Sequence, residues 1–593
     1  MIRTPLRPLA RILAARARGE NPDAIEKENL QQRHAEIQGQ SRQRSEGRLL
    51  VLGVFFVCAY ALIGVRMGMM STSEPTEPVA IATGSVIAAQ RADIIDREGR
   101  ILATNFETHS LYAHPHQLID PVAAADALIK VFPDLDHERL IKDFTGKRKF
   151  VWIKKKISPE QKQAVHDIGD PGLLFGPREM RLYPNGSLAA HVLGGAGFGK
   201  EDVDAAEVIG VAGVERQFDS YLRDPANGAE PLQLSLDLTI QAAAERVLHG
   251  GMRLMNAKGA TSILMDVHTG EVISVVSLPD FDPNERPRPA VSGDPSDSPL
   301  FNRSVQGVYE LGSTFKIFTT AQAIDLGLVN SDTMIDTRGP LRWGRFSIRD
   351  FRNYGNSLSV ERIIVKSSNI GTARLAQQIG VERQRDFLSR LGMLEATPFE
   401  ISEASGGRPL LPSNWSELSA MTISYGHGIS TSPMHLAAGY ATIANGGHYV
   451  SPTILKQNGP QLGPRVMSEE AASASRDMLR RVVTEGTASF GEVPGYQVGG
   501  KTGTADKPKP NGGYYEDKVI ATFASMFPAH DPKYVLIVTL DEPSIIAHGE
   551  ERRTAGWTAV PVAAEMIGRI APLLGLRPQV EPAPVTGITL TSN

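Results

Sequence analysis

The uncharged run LLVLGVFFVCAYALIGV, Leu49 to Val65, constrains this chain more than any other stretch. Arg48 and Arg66 close it at its two ends. At 1.5 Å per residue, a helix of this length falls slightly short of a bilayer core about 30 Å thick, and snorkelling flanks cover the difference. Before the run lie Arg3, Arg7, Arg11, Arg16, Arg18, Arg33, Arg42, Arg44 and Arg48. That basic excess predicts a cytoplasmic N-terminus and an exported remainder. A cleaved signal peptide fits poorly, because the preceding region is far too long for an n-region and no small-x-small site follows. A helix buried in a soluble core fits poorly as well, since the run is apolar all round. The expected layout is a cytoplasmic tail over 1–48, a transmembrane helix over 49–67 and a linker over 68–86.

Hydrophobic residues make up 41% of the 593 and charged residues 22%, a globular balance. The net charge of −4 argues against broad nucleic-acid binding. Cys58 is the single cysteine and lies inside the apolar run, so it is expected to be inert. It rules out an internal disulfide and any zinc site needing two cysteines. Residues 87–228 read as a mixed α+β region. A strand, a turn at Glu98-Gly99 and another strand span Ile94–Leu102, and short helices cover Pro121–Val131 and Ser158–Ile168. GGAGFG at 194–199 resembles a dinucleotide loop, but no β-branched strand precedes it and no helix follows, so a flexible loop is expected. His109, His114 and His116 read as scattered loop histidines, given Pro115 and the lack of nearby acids.

Residues 229–575 have a different texture. A helix is expected by Arg253, then a hairpin of Ala260–Asp266 with Glu271–Leu278. A long helical region runs from Val360 to about Ile443. Strands return at Gln497–Thr504, Val519–Phe527 and Tyr534–Leu540, and Trp557–Leu574 is a helix. This order predicts one α/β domain whose sheet is built from both ends of the segment. The Pro-rich tail, 576–593, reads as disordered. There are no internal repeats.

Three polar groups in this region carry the chemistry. In Tyr309–Leu328 a helix begins near Ser313-Thr314-Phe315-Lys316, with Gly312 at the turn and Gly327 as terminator. Positions i and i+3 share a helix face, so the hydroxyl and the amine can touch, beside free backbone N–H groups. Ser-x-x-Lys alone is weak, expected about twice by chance in a chain this long. The second group is Lys366-Ser367-Ser368-Asn369. Ser367 and Asn369 can point into one site only from a turn between helices, and a plain N-cap is the simpler reading. The third is Gly499-Gly500-Lys501-Thr502-Gly503-Thr504. GYQVGGKT, 495–502, matches a phosphate-binding P-loop letter for letter, but Pro508, Pro510, Gly512 and Gly513 forbid the helix that a P-loop needs. A strand with Lys501, Gly503 and Thr504 at the edge of a cleft is expected instead. Tyr514 and Tyr515 beyond it read as a solvated loop.

Ser-x-x-Lys, Ser-x-Asn and Lys-Thr-Gly-Thr in this order resemble the signature of penicillin-binding proteins and serine β-lactamases. With Arg91-x-x-Ile94-x-Asp96-Arg97-x-Gly99, Arg181-x-Tyr183-Pro184, Ala190-His191-x-x-Gly194 and Gly210-x-x-Gly213-x-Glu215, the chain resembles the class B penicillin-binding proteins. Ser424-Tyr425-Gly426-His427-Gly428-Ile429, Ser432-Pro433 and Ala444-Asn445-Gly446-Gly447 are closest to the cell-division type. One departure is Leu311, where the family often has Pro.

The resemblance implies a transpeptidase domain of α+β or α/β class over 229–575, an antiparallel sheet flanked by helices, on a pedestal over 87–228. It implies a peptidoglycan D,D-transpeptidase at the division septum of the inner membrane. Ser313 would attack the carbonyl between the terminal D-alanines of a stem peptide, and an amine would release the acyl-enzyme. Lys316 is the candidate base, provided its pKa is depressed. Ser367 would relay a proton to the leaving amine. Asn369 would hold Lys316 and the substrate amide, Lys501 would set the field of the cleft, and Thr502, Gly503 and Thr504 would bind the substrate carboxylate. The N–H groups of Ser313 and Thr504 would form the oxyanion hole. β-Lactams, other division proteins and a membrane-embedded SEDS-type (FtsW-like) glycosyltransferase are the implied partners. No cofactor, metal or nucleic acid is expected. A D,D-carboxypeptidase or β-lactamase-type hydrolase on this fold and an inactive division scaffold are the alternatives.

Overall fold

The computed structural model describes residues 7–21, 23, 25, 27, 31, 53–64, 91–201, 206–227, 230–509 and 512–579. Contacts divide the chain into residues 1–76 and residues 77–593. In the first unit, Arg7–Ala17 is a helix, and residues 53–64 are helical and largely exposed. The remainder of the expected 49–67 span, the 68–86 linker and residues 580–593 of the tail lie outside the described residues. Among the described residues, no helix is long and apolar enough to cross a membrane.

In the second unit, a five-stranded sheet has the order Gly499–Pro508, Tyr514–Phe527, Tyr534–Asp541, Gly259–Asp266, Val272–Leu278. Every neighbouring pair is antiparallel. The sheet is built from both ends of the segment, as the sequence predicts. Three of its strands, Val272–Leu278, Gly259–Asp266 and Tyr534–Asp541, are buried along almost their whole length. Helices Leu238–Leu254 and Ala559–Leu573 and helix Pro433–Ala444 supply the apolar cover. Gly499–Pro508 stands at one edge of the sheet.

The long helical region expected over 360–443 is interrupted. Helices Val360–Lys366, Asn369–Ile379 and Val381–Arg390 are followed by irregular chain with a short 3₁₀ turn, then by Glu417–Ile423 and Pro433–Ala444. Gly406, Gly407, Pro409 and Pro412 explain the break, since neither residue type sustains a helix.

The pedestal is organised by one long strand, Ile101–Ala113, which pairs with Ile94–Ile95, Val151–Ile157 and Leu173–Leu182. The expected helices form over Pro121–Val131 and Pro159–His166, the latter with a Ser158/Gln161 capping box. Two expectations fail here. GGAGFG is no loop: Gly195–Glu201 pairs with Ala206–Ala212 as a hairpin. Glycine weakens a strand, so its propensity hid the pairing, but the close approach requires it. A Cβ at Gly194 would stand 2.2 Å from the Ala212 carbonyl oxygen. His109 lies in the long strand rather than in a loop. It contacts Lys162 at 2.8 Å, and no metal-binding cluster exists among the described residues.

Three of the four pedestal motifs quoted above meet on fully buried Glu215. Arg91 Nε donates to its Oε2 at 2.7 Å, Arg181 Nε to its Oε1 at 2.7 Å, and the Tyr183 hydroxyl to Oε1 at 3.3 Å. Burial pushes the Glu215 carboxyl up, but Arg181 and Arg91 outweigh it and the net shift is downward. Asp96 ties the pedestal to the larger sheet's helix, accepting from the Leu238 N–H at 3.1 Å and from Arg100 Nε at 2.7 Å.

Candidate active site

Residues 312–315 form a 3₁₀ turn, and the α-helix proper begins at Lys316 and ends at Asp325. A 3₁₀ turn eclipses i and i+3, which sets Ser313 and Lys316 on one side of the element. Leu311 occupies the position where the family it resembles often has proline. The turn is tied there by the Thr314 hydroxyl, which donates to the Leu311 carbonyl at 2.9 Å. Tyr440 adds a second tie by donating to the Thr314 carbonyl at 2.9 Å.

Ser367 ends helix Val360–Lys366 in the left-handed conformation, φ 63° and ψ 44°. Its hydroxyl accepts from two lysines rather than from a helix N–H, so it is not an N-cap. Ser368 is the cap, accepting from the Gly371 N–H. The turn between two helices is therefore present, and it delivers Ser367 to the lysines. Lys316 Nζ donates to the Ser367 carbonyl at 2.5 Å and to its Oγ at 3.0 Å. Lys501 Nζ donates to the same Oγ at 3.0 Å and to the Thr502 carbonyl at 3.1 Å. Both lysines are fully buried, whereas Ser313 and Ser367 are part-exposed.

Burial holds the Lys316 amine well below the usual lysine range, with Lys501 adding to the effect and Asp350 opposing it. Burial brings Lys501 down to about 7.

Asn369 does not reach Lys316. Its amide donates instead to the Arg349 carbonyl at 3.0 Å. Thr502 Oγ1 lies 2.6 Å from Thr487 Oγ1, and Thr504 Oγ1 accepts from the Ala555 N–H at 3.0 Å. Gly503 lets the edge strand lie on the 3₁₀ turn, because a Cβ there would stand 2.2 Å from the Leu311 carbonyl oxygen. After Thr504 the chain continues as strand to Pro508, the opposite of what a P-loop needs.

Sequence reasoning missed two contributors. Asp350 accepts from the N–H groups of Asn369 at 2.6 Å and Ile370 at 3.0 Å, and from the Ser368 hydroxyl at 2.7 Å. An isolated carboxylate eighteen residues upstream carries no local signal of that role. Tyr514, expected in a solvated loop, opens a strand, and its hydroxyl donates to Glu310 at 3.1 Å. Glu310 also accepts from the Gly428 N–H at 2.8 Å, bracing the approach to Ser313.

Comparisons with known proteins identify the relatives of both regions. Residues 260–567 match the family model of the penicillin binding protein transpeptidase domain, and residues 86–231 that of the penicillin-binding protein dimerisation domain. A probable peptidoglycan D,D-transpeptidase FtsI of Caulobacter vibrioides is 33% identical over 547 residues, 90% of this chain and 89% of that one. A probable peptidoglycan D,D-transpeptidase PenA of Neisseria meningitidis is 31% identical over 521 residues, 84% of this chain and 87% of that one. Among solved structures, the transpeptidase domain of Burkholderia pseudomallei penicillin-binding protein 3 has a TM-score of 0.52 and 33% identity, covering 59% of this chain and 98% of that one.

Proposed function

Because this chain belongs to the class B penicillin-binding proteins, the peptidoglycan D,D-transpeptidases, we propose that it cross-links stem peptides through an acyl-enzyme on Ser313. The observation that carries the reading is the Ser367 hydroxyl bracketed at 3.0 Å by two buried lysine nitrogens on the Ser313 side of the fold.

The proton route follows from counting donors. A neutral Lys316 amine has two N–H bonds and one lone pair. Its two N–H bonds are engaged by the Ser367 carbonyl and hydroxyl oxygens. The lone pair is then free to take the Ser313 proton as Oγ attacks the carbonyl. Both lone pairs of Ser367 Oγ receive hydrogen bonds, so its own proton is the one left to give to the departing D-alanine amine. Lys316 then returns the proton it took. Lys501 stays charged to attract the terminal carboxylate, and Thr502 and Thr504 turn to that carboxylate as it enters. Backbone N–H groups of Ser313 and Thr504 stabilise the oxyanion. An acceptor amine attacks next: its nitrogen bonds to the acyl carbon, the bond to Ser313 Oγ breaks, and the proton returns to Oγ through Lys316.

β-Lactams acylate the same hydroxyl in this reading. The charge pattern around Leu49–Val65 supports a single-pass inner-membrane anchor with the catalytic region exported. The cell-division motifs support a septal site of action beside an FtsW-like glycosyltransferase. The deciding experiment is covalent labelling by a fluorescent penicillin. Label is expected on Ser313 and absent from Ser313→Ala; unchanged labelling of that variant sinks the assignment. Mass spectrometry of donor stem peptide with acceptor amine separates transfer from hydrolysis, with cross-linked product expected.

A further inference from the structure

We propose that the hairpin and loop over 338–352 form a docking surface for the acidic glycopeptide polymer that the enzyme cross-links. The inference rests on the transpeptidase reading and adds a binding site outside the catalytic constellation.

Leu341–Trp343 pairs with Phe346–Ile348, with Leu341 opposite Ile348 and Trp343 opposite Phe346. These two pairs share a face, because side chains alternate along a strand. At the base of the hairpin that face is buried, with Leu341 and Ile348 packed against Ile370, Ala373 and Met421. At the tip it is uncovered, with Trp343 37% and Phe346 49% exposed. Phe351, just past the hairpin, is 84% exposed. Arg342, Arg345, Arg349 and Arg352 are interleaved with these rings and are exposed. Arg345 lies over the Phe346 ring at 5.3 Å, and Arg352 over the Phe351 ring at 5.7 Å. In the same stretch Arg338 is satisfied by Asp336 at 2.9 Å. The other four guanidiniums have no carboxylate partner among the described residues.

Guanidiniums without carboxylate partners bind planar carboxylates bidentately, and the exposed rings beside them can cover the apolar faces of the scaffold that displays those carboxylates. Stem peptides on a glycan strand have that chemistry. The surface is also continuous with the site. Asp350, between Arg349 and Phe351, caps the helix that starts at Asn369, and the Arg349 carbonyl accepts from the Asn369 amide. Polymer held by the arginines is thereby held beside the Ser367–Asn369 turn.

The test uses the full chain in detergent and compares the wild type with Arg342→Glu/Arg345→Glu, Arg342→Lys/Arg345→Lys and Trp343→Ala. Penicillin labelling of Ser313 should be unchanged in all, which shows that each is folded; loss of labelling in the wild type would instead defeat the acyl-enzyme reading. Co-sedimentation with isolated, uncross-linked peptidoglycan should weaken about tenfold in the Glu variant, recover in the Lys variant and decline as salt rises. Turnover of a short soluble donor peptide should not change. The proposal is overturned if polymer retention is the same in the Glu variant with labelling intact, or if that variant loses only binding to anionic lipid vesicles or to an acidic protein.

Discussion

Two lysine nitrogens at 3.0 Å from one hydroxyl oxygen make Ser367 the residue on which proton traffic turns. Lys316→Ala should slow acylation by roughly 10²–10⁴-fold, the range for a positioned general base, measured as the second-order rate of β-lactam labelling. The pH profile carries a sign that can be worked out. Lys316 must be neutral to act, so acylation gains with pH through its depressed pKa. Lys501 must be charged to attract a carboxylate, and in the free enzyme it loses its proton near 7. The rate constant at low substrate should therefore fall on the alkaline side with an apparent pKa near 7 that belongs to the lysine pair. With bound carboxylate the limb should move to higher pH, because an anion favours the charged amine. A flat profile from pH 6 to 9 would contradict the assignment.

At the scale of elements, one carboxylate and one glycine set the cleft. Asp350 serves two otherwise unpaired N–H groups at the start of helix Asn369–Ile379 and the Ser368 hydroxyl, and it opposes the downward shift of Lys316. Asp350→Asn should cost about 1–2 kcal/mol in denaturant unfolding, as for a lost cap. It should also move the acid limb of acylation to lower pH, since Lys316 loses a nearby negative charge. Gly503 is the contact between edge strand and 3₁₀ turn. Gly503→Ala places a methyl 2.2 Å from the Leu311 carbonyl, so strand and turn must separate. Overpacking of this kind costs about 1–3 kcal/mol, and labelling of Ser313 should fall at least about tenfold while the far-UV spectrum is retained.

For the whole molecule, Glu215 holds together pedestal segments that are far apart in sequence. Removing one member of a buried ion group strands the others, so Glu215→Ala should cost about 3–5 kcal/mol, read from thermal or denaturant unfolding. Its folded pKa lies below its unfolded value, so its contribution is fully present above the usual glutamate range, near 4.5, and disappears as pH falls through the lower folded value. The wild type should therefore destabilise in acid more steeply than the variant. Much of this architecture was legible beforehand. The sheet hairpin, the return of the strands near 499 and 534 and the capped pedestal helices follow from periodicity and turn residues, whereas Ser313, Lys316, Ser367 and Lys501 are singled out together only by the family resemblance. The Gly195–Glu201 strand, the break after Arg390, the Tyr514 strand and the partners of Asn369 did not follow, because each depends on a distant segment rather than on local preference. By itself, the sequence determined which side chains are available and, through their spacing of three, that a helix there would set Ser313 and Lys316 on one face. Only the tertiary structure decided that Lys316 and Lys501, 185 positions apart, meet on one Ser367 hydroxyl and are both depressed. That meeting requires a left-handed residue between two helices and a sheet closed from both ends of the segment, and it is burial there, absent from any local stretch, that makes a lysine a base.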